Sequence, residues 1–176
     1  MSQAPAPEWS HVIDVRQVPQ GAITLTADEA QRRRLAARFG LSAIDRLEAV
    51  VTIDPVGSAI GVRGRIVAAI VQACAVSGED FPVAIDEAVE LRFVTDATPA
   101  DPADEIEITA DQCDEIEFDG AAFDLGEALA QTLALAIDPF AQGPDADRAR
   151  VEHGLDGQTG GGAFAALAAL RQAPSA

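Results

Sequence analysis

Residues 123–140, Phe-Asp-Leu-Gly-Glu-Ala-Leu-Ala-Gln-Thr-Leu-Ala-Leu-Ala-Ile-Asp-Pro-Phe, read as one short helix carrying its own start, stop and buried face. Asp124 is a good N-cap, and Glu127 stands three residues later, where a capping-box partner belongs. Leu125, Leu129, Leu133 and Ile137 form a row at i+4 spacing, and alanines fill most of the remaining turns. Glu127, Gln131 and Asp138 make the polar stripe, so the helix is expected to be buried on most sides. Asp138-Pro139 ends it, because proline disfavours helical geometry at the residue before it. The segment holds no obvious reactive group; its value is in placing the fold.

Upstream the chain is rich in strand signals. His11-Val12-Ile13-Asp14-Val15 is extended in character, and Ile23-Thr24-Leu25 leads into a helix that runs to Phe39 and stops at Gly40. Thr26 is the expected N-cap of that helix, with Glu29 completing a capping box and Ala30 meeting Leu25 as a weak staple. Arg46 to Ile53 has strand character, and Asp54-Pro55-Val56-Gly57 reads as a turn. Ile60 to Cys74 is β-branched and interrupted by glycines, and reads as one long strand or two joined at a bend near Gly64. Ser77 to Asp80 is a turn, Pro82 to Val94 a further strand, and Asp96 to Ala103 a loop. Two short acidic strands, Glu105–Ile108 and Glu115–Phe118, precede the 123–140 helix.

Strands outnumber helices and the connections are of hairpin length. The expectation is therefore an α+β fold, a mainly antiparallel sheet or partly closed barrel with two or three helices. Residues 1–8 are expected to be disordered, 9–142 to form the domain, and 143–162 to be a flexible linker. Residues 163–171 carry Phe164, Leu167 and Leu170 at i+3 spacing, a short apolar helix or docking segment.

Charge narrows the function. The 176 residues carry net charge −17, every basic residue is Arg, and from Phe93 to Asp147 there are 15 acidic residues and no basic one. Nucleic-acid affinity comes largely from Lys and Arg displacing counterions, so extensive direct RNA or DNA binding is disfavoured. No apolar run approaches the roughly 20 residues that span a bilayer, and the N-terminus lacks the features of a secretory signal. Two distant cysteines make no disulfide framework, and a reducing cytoplasm is the simplest compartment.

Val-x-Gly-x-Ile-Val-Ala at 62–68 leads to Cys74-Ala75-Val76-Ser77 and Glu79-Asp80-Phe81-Pro82. Phe123-Asp-Leu-Gly-Glu and Leu133-Ala-Leu-Ala-Ile-Asp-Pro-Phe140 follow. In this order, over roughly residues 9–142, the chain resembles the YceD family, the bacterial large ribosomal RNA subunit accumulation proteins. That resemblance implies a small acidic cytoplasmic protein needed for normal amounts of large-subunit ribosomal RNA, with no established enzymatic activity. Two positions depart from the family pattern. Ser77 stands where many members complete a Cys-x-x-Cys pair, which argues against a metal or redox pair, and Gln131 stands where many have Glu.

The residues offer little reactive chemistry. Cys74 reads as a small buried apolar side chain, Cys113 lies in acidic surroundings that make it a poor nucleophile, and the two histidines, His11 and His153, leave few general bases. No spacing gathers the four ligands of a zinc site, and the glycines fit neither a dinucleotide fingerprint nor a phosphate loop. No catalytic residue, metal or cofactor is expected. The carboxylates Asp104, Glu105, Glu107, Asp114, Glu115 and Glu117 are the candidate contact surface for a basic ribosomal or assembly protein. Arg32, Arg33, Arg34 and Arg38 form the one dense basic cluster and are the candidate RNA contact of an alternative reading.

Overall fold

A computed structural model describes residues 7–57, 59–95 and 115–155. The first described strand, β1 (Val12–Asp14), passes into a single 3₁₀ turn at Val15–Gln17. Then come β2 (Ala22–Thr26), α1 (Glu29–Phe39), β3 (Ala43–Val56), β4 (Ala59–Ala73) and β5 (Asp80–Thr95). After the acidic segment follow β6 (Glu115–Phe118), β7 (Ala122–Asp124), α2 (Leu125–Ala136) and α3 (Ala146–Glu152).

Five strands form an open sheet in the order β2-β3-β4-β5-β6, and β1 pairs with β7 in a separate two-stranded ladder. The sheet is mainly antiparallel and not a closed barrel. β6 is the exception, running parallel to β5 with Phe93 opposite Ile116. A parallel neighbour needs a crossover of a dozen or more residues, and the chain between Thr95 and Glu115 has the length for one. The expected strand at Glu105–Ile108 lies outside the described residues.

Alternation drives the core. Leu47, Ala49, Val51 and Ile53 of β3 and Val62, Ile66, Ala68 and Ile70 of β4 are buried, whereas Val50, Arg63, Arg65 and Val67 between them face solvent. Leu125, Leu129 and Leu133 are buried in the same cluster and Ile137 is packed against it, as the i+4 row predicts. β4 is one continuous strand despite its glycines. At Gly64, opposite Val51, an added Cβ would overlap the Val50 carbonyl oxygen and come within 2.7 Å of Val51 Cα. Glycine is there for close backbone approach.

Four local expectations are corrected. Thr26 is not the cap of α1, because it still belongs to β2 and pairs with Glu48. Asp28 caps instead, accepting from Gln31 N at 2.8 Å, while Gln31 Oε1 accepts from Asp28 N at 2.8 Å, a complete capping box two residues later. Glu29 therefore lies inside the helix. The turn placed at Asp54–Gly57 starts later, since β3 continues to Val56, which pairs with Ala59, and Gly57 takes a left-handed φ of 63°. Glu8, assigned to a disordered terminus, is ion-paired to Arg38 at 2.8 Å.

The fourth correction concerns the segment read as a flexible linker. Its residues Ala146–Glu152 form α3, with Ala146 and Ala149 buried. Arg150 pairs with Asp147 at 2.6 Å and donates to Gln142 at 2.6 Å. Alanine burial is invisible to a composition count, which registered the neighbouring Gly, Asp and Gln. The described chain falls into two compact units. One comprises the residues up to Gln72 together with Pro82–Asp138, and holds the sheet core, α1 and α2. The other comprises Ala73–Phe81 and the residues from Pro139 onward, and holds α3.

Candidate functional site

The start of α2 is where the sequence concentrates its local rules. Asp124 Oδ1 accepts from Glu127 N at 3.1 Å, the N-cap bond expected there, and also from His11 N at 2.8 Å. Its other oxygen accepts from Ser10 Oγ at 2.6 Å. One carboxylate thus caps the helix and ties down the chain entering β1. Gly126 permits this, since a Cβ there would run into the Trp9 carbonyl oxygen and lie 2.8 Å from His11 N.

Glu127 does not turn back to complete a capping box. It takes both terminal nitrogens of Arg38, at 2.9 and 2.8 Å, and Gln131 Nε2 donates to it at 3.2 Å. The Arg38 hydrogen bonds hold the Glu127 carboxyl below the usual carboxylate range against the cost of burial. Gln131, the departure from the family pattern, is thereby a donor to Glu127; a carboxylate in its place would set two acids side by side.

Each arginine of the basic cluster has a partner within the chain, and Arg33, Arg34 and Arg38 remain exposed to solvent. Arg32 donates to the carbonyls of Ile44 and Ala27, at 3.1 and 2.6 Å, and Arg33 pairs with Glu29 at 2.6 Å. Arg34 donates to the Glu8 carbonyl at 3.0 Å, and Arg38 joins Glu8 and Glu127. An open groove of about 480 Å³ runs beside Arg32 and Arg33 between α1 and the start of β3, rimmed also by Glu29 and Asp45.

Of the candidate acidic residues, Asp104, Glu105, Glu107 and Asp114 lie outside the described residues. Glu115 pairs with Arg92 at 3.3 Å, and Glu117 makes no ion pair among the described residues. Downstream of them the chain reverses at Gly120, whose φ is 84°. Asp119 Oδ1 accepts from Ala121 N at 2.9 Å and Ala122 N at 3.3 Å, and these two donors hold its carboxyl below the usual range.

Around this reversal lies an open groove of about 350 Å³. Its floor is aromatic. Phe93 and Phe123 have ring centroids 4.2 Å apart, and Phe118 stands edge-on to them at 6.4 and 5.9 Å. Glu117, Asp119, Asp124 and Glu127 contribute to its lining, among the described residues no arginine or histidine does, and Arg38 stands behind it on Glu127. Sequence reasoning singled out Glu117 but missed Asp119, Asp124 and Glu127 as neighbours. The available signal was the pair Phe118-Asp119 and Phe123-Asp124 on either side of Gly120.

Cys74 is buried, 3% exposed, as expected of an apolar residue. Its thiol is not ordinary, however. The Ser77 hydroxyl and then the Ser77 N–H hydrogen-bond to it and pull it down to about 7. Sγ accepts from Val76 N and Ser77 N at 3.4 Å each. Among the described residues no three His, Cys, Asp or Glu side chains are grouped to hold a metal, and no helix is long and apolar enough to cross a membrane.

The model of the family described as large ribosomal RNA subunit accumulation protein YceD matches residues 62–171. The match opens at the Val-x-Gly-x-Ile-Val-Ala strand and includes both α2, which occupies Leu125–Ala136 of the 123–140 stretch, and the apolar 163–171 segment. No curated protein and no solved structure matches the chain.

Proposed function

Because the chain belongs to the YceD family of large ribosomal RNA subunit accumulation proteins, we propose that it is a non-enzymatic accessory factor of ribosome biogenesis. On this reading it works in the cytoplasm and supports the accumulation of large-subunit ribosomal RNA by presenting an acidic surface to a basic ribosomal or assembly protein. The family membership supports the ribosomal setting. The observation that carries the mode of action is the distribution of charge. No cation occurs between Phe93 and Asp147, and in α1 Arg32 is spent on two backbone carbonyls and Arg38 on two carboxylates. A surface of this kind speeds encounter with a cationic partner, while apolar contacts supply specificity.

The rival reading, RNA contact through Arg32, Arg33, Arg34 and Arg38, would require Arg32 and Arg38 to leave their present partners, while Arg33 and Arg34 are already exposed. It would also bring a phosphate backbone to a chain of net charge −17.

Depletion in growing cells tests the proposal. The large-subunit RNA pool is expected to fall relative to the small-subunit pool, and the tagged protein is expected to recover basic ribosomal or assembly proteins at low but not high salt. An unchanged RNA profile would remove the ribosomal role. Recovery of the protein alone at low salt would remove the acidic-surface mechanism.

A further inference from the structure

We propose that the groove floored by Phe93, Phe118 and Phe123 is the docking site for an arginine-bearing segment of a basic partner protein. This rests on the acidic-surface reading above and gives it an address.

Shape and charge agree on the occupant. Phe93 and Phe123 are buried beneath the groove at 1% and 3% exposure, Phe118 packed on them keeps part of its ring open, and Glu117 and Asp119 are exposed beside it. A guanidinium is planar, weakly hydrated, stacks on aromatic rings and bonds carboxylates in a fork, so it satisfies both features where an ammonium satisfies mainly the second. Asp119 is pinned through Oδ1 by two backbone N–H groups and Glu117 makes no ion pair among the described residues, so these two carboxylates are the ones open to a cation, whereas Glu127 is already held by Arg38 and Asp124 by Ser10 and His11.

Charge also decides against the nearest alternatives. The stretch 96–114, which enters the groove strand β6, carries seven acidic residues and no basic one, and a second copy of the chain would bring another −17. Either would add negative charge to an already negative site. The apolar 163–171 segment, with Arg171 at its end, remains as a competitor that experiment can separate.

The test uses the full chain and a short peptide alternating arginine with alanine, compared with the same peptide carrying citrulline, which keeps the shape and removes the charge. The arginine peptide is expected to shift the amide resonances of Glu117, Phe118, Asp119 and Gln131, and the citrulline peptide to leave them unmoved. Combining Glu117→Gln with Asp119→Asn is expected to weaken binding about tenfold; asparagine keeps the acceptor for Ala121 and Ala122, so the turn survives. Shifts spread over other acidic surfaces, with affinity unchanged in the double variant, would overturn the proposal. So would movement of the same four resonances on removal of residues 163–176 without peptide, which would identify the tail as occupant. If the double variant still recovers a basic protein from cells in a salt-sensitive manner, the acidic-surface reading stands and the groove assignment falls.

Discussion

Arg38, in the last turn of α1, holds Glu127, in the first turn of α2, with both terminal guanidinium nitrogens at 2.8 and 2.9 Å. Each charge also suits its own helix end, a cation near the C-terminus and an anion near the N-terminus. The pair retains 34% and 24% side-chain exposure, so solvent screens it in part. A double-mutant cycle of Arg38→Ala and Glu127→Ala is expected to give a coupling of about 1 kcal/mol in urea unfolding. A coupling indistinguishable from zero would mean that water, not the partner, solvates each charge.

The same pair sets a pH dependence. Arg38 lowers the Glu127 carboxyl below its ordinary 4.5, so its stabilisation is complete above that value and is lost as pH falls through the lower, folded value. Thermal unfolding between about pH 5 and about pH 3 should therefore show a shallower loss of stability in Arg38→Gln than in the parent chain. Parallel curves would assign the acid sensitivity to other carboxylates.

Gly126 and Gly61 make a controlled comparison. Alanine at 126 would meet backbone atoms of Trp9 and His11, which cannot move without breaking the Asp124 contacts, and is expected to cost about 1–3 kcal/mol. Alanine at 61 would meet the Val56 Cγ2 methyl at 3.2 Å, a side-chain atom that can give way, and should change stability by no more than about 0.5 kcal/mol. Calorimetry on the two variants checks the ordering.

Asp124 serves as both cap and tether. Asp124→Ala removes acceptors from Glu127 N, His11 N and Ser10 Oγ and is expected to destabilise by about 2 kcal/mol, at the upper end for an N-cap. Amide exchange should speed up at His11 and Glu127 together. Acceleration at Glu127 alone would show that the β1 approach is held by something else.

Cys74 should titrate near pH 7. In a Cys113→Ser background, thiolate absorbance is expected to rise through that pH, and Ser77→Ala to move the midpoint up toward the ordinary thiol value of about 8.5. A midpoint unchanged by Ser77→Ala would show that the backbone donors alone set the thiol. Because the folded value is depressed, any stabilisation from the thiolate is present above the unfolded value and lost as pH falls through about 7.

What could be read from the chain was whatever depends on neighbours in sequence. The i+4 leucine row of α2, its Asp124 cap, the Gly40 stop of α1 and the alternation of β3 and β4 follow from periods and capping rules that act over a few residues. The Thr26 reading failed because strand pairing with Glu48, a non-local contact, outcompeted a plausible local cap. α3 was missed because two buried alanines carry its packing and alanine announces no face. Tertiary structure alone decided that β6 runs parallel to β5, that Arg38 spends its charge on Glu127, and that Phe93, Phe118 and Phe123 converge beside four carboxylates. Joining β5 to β6, Arg38 to Glu127, and Phe93 to Phe118 and Phe123 brings together residues about 20 to 90 positions apart, and such meetings are set by the closure of the whole core, which no local pattern encodes.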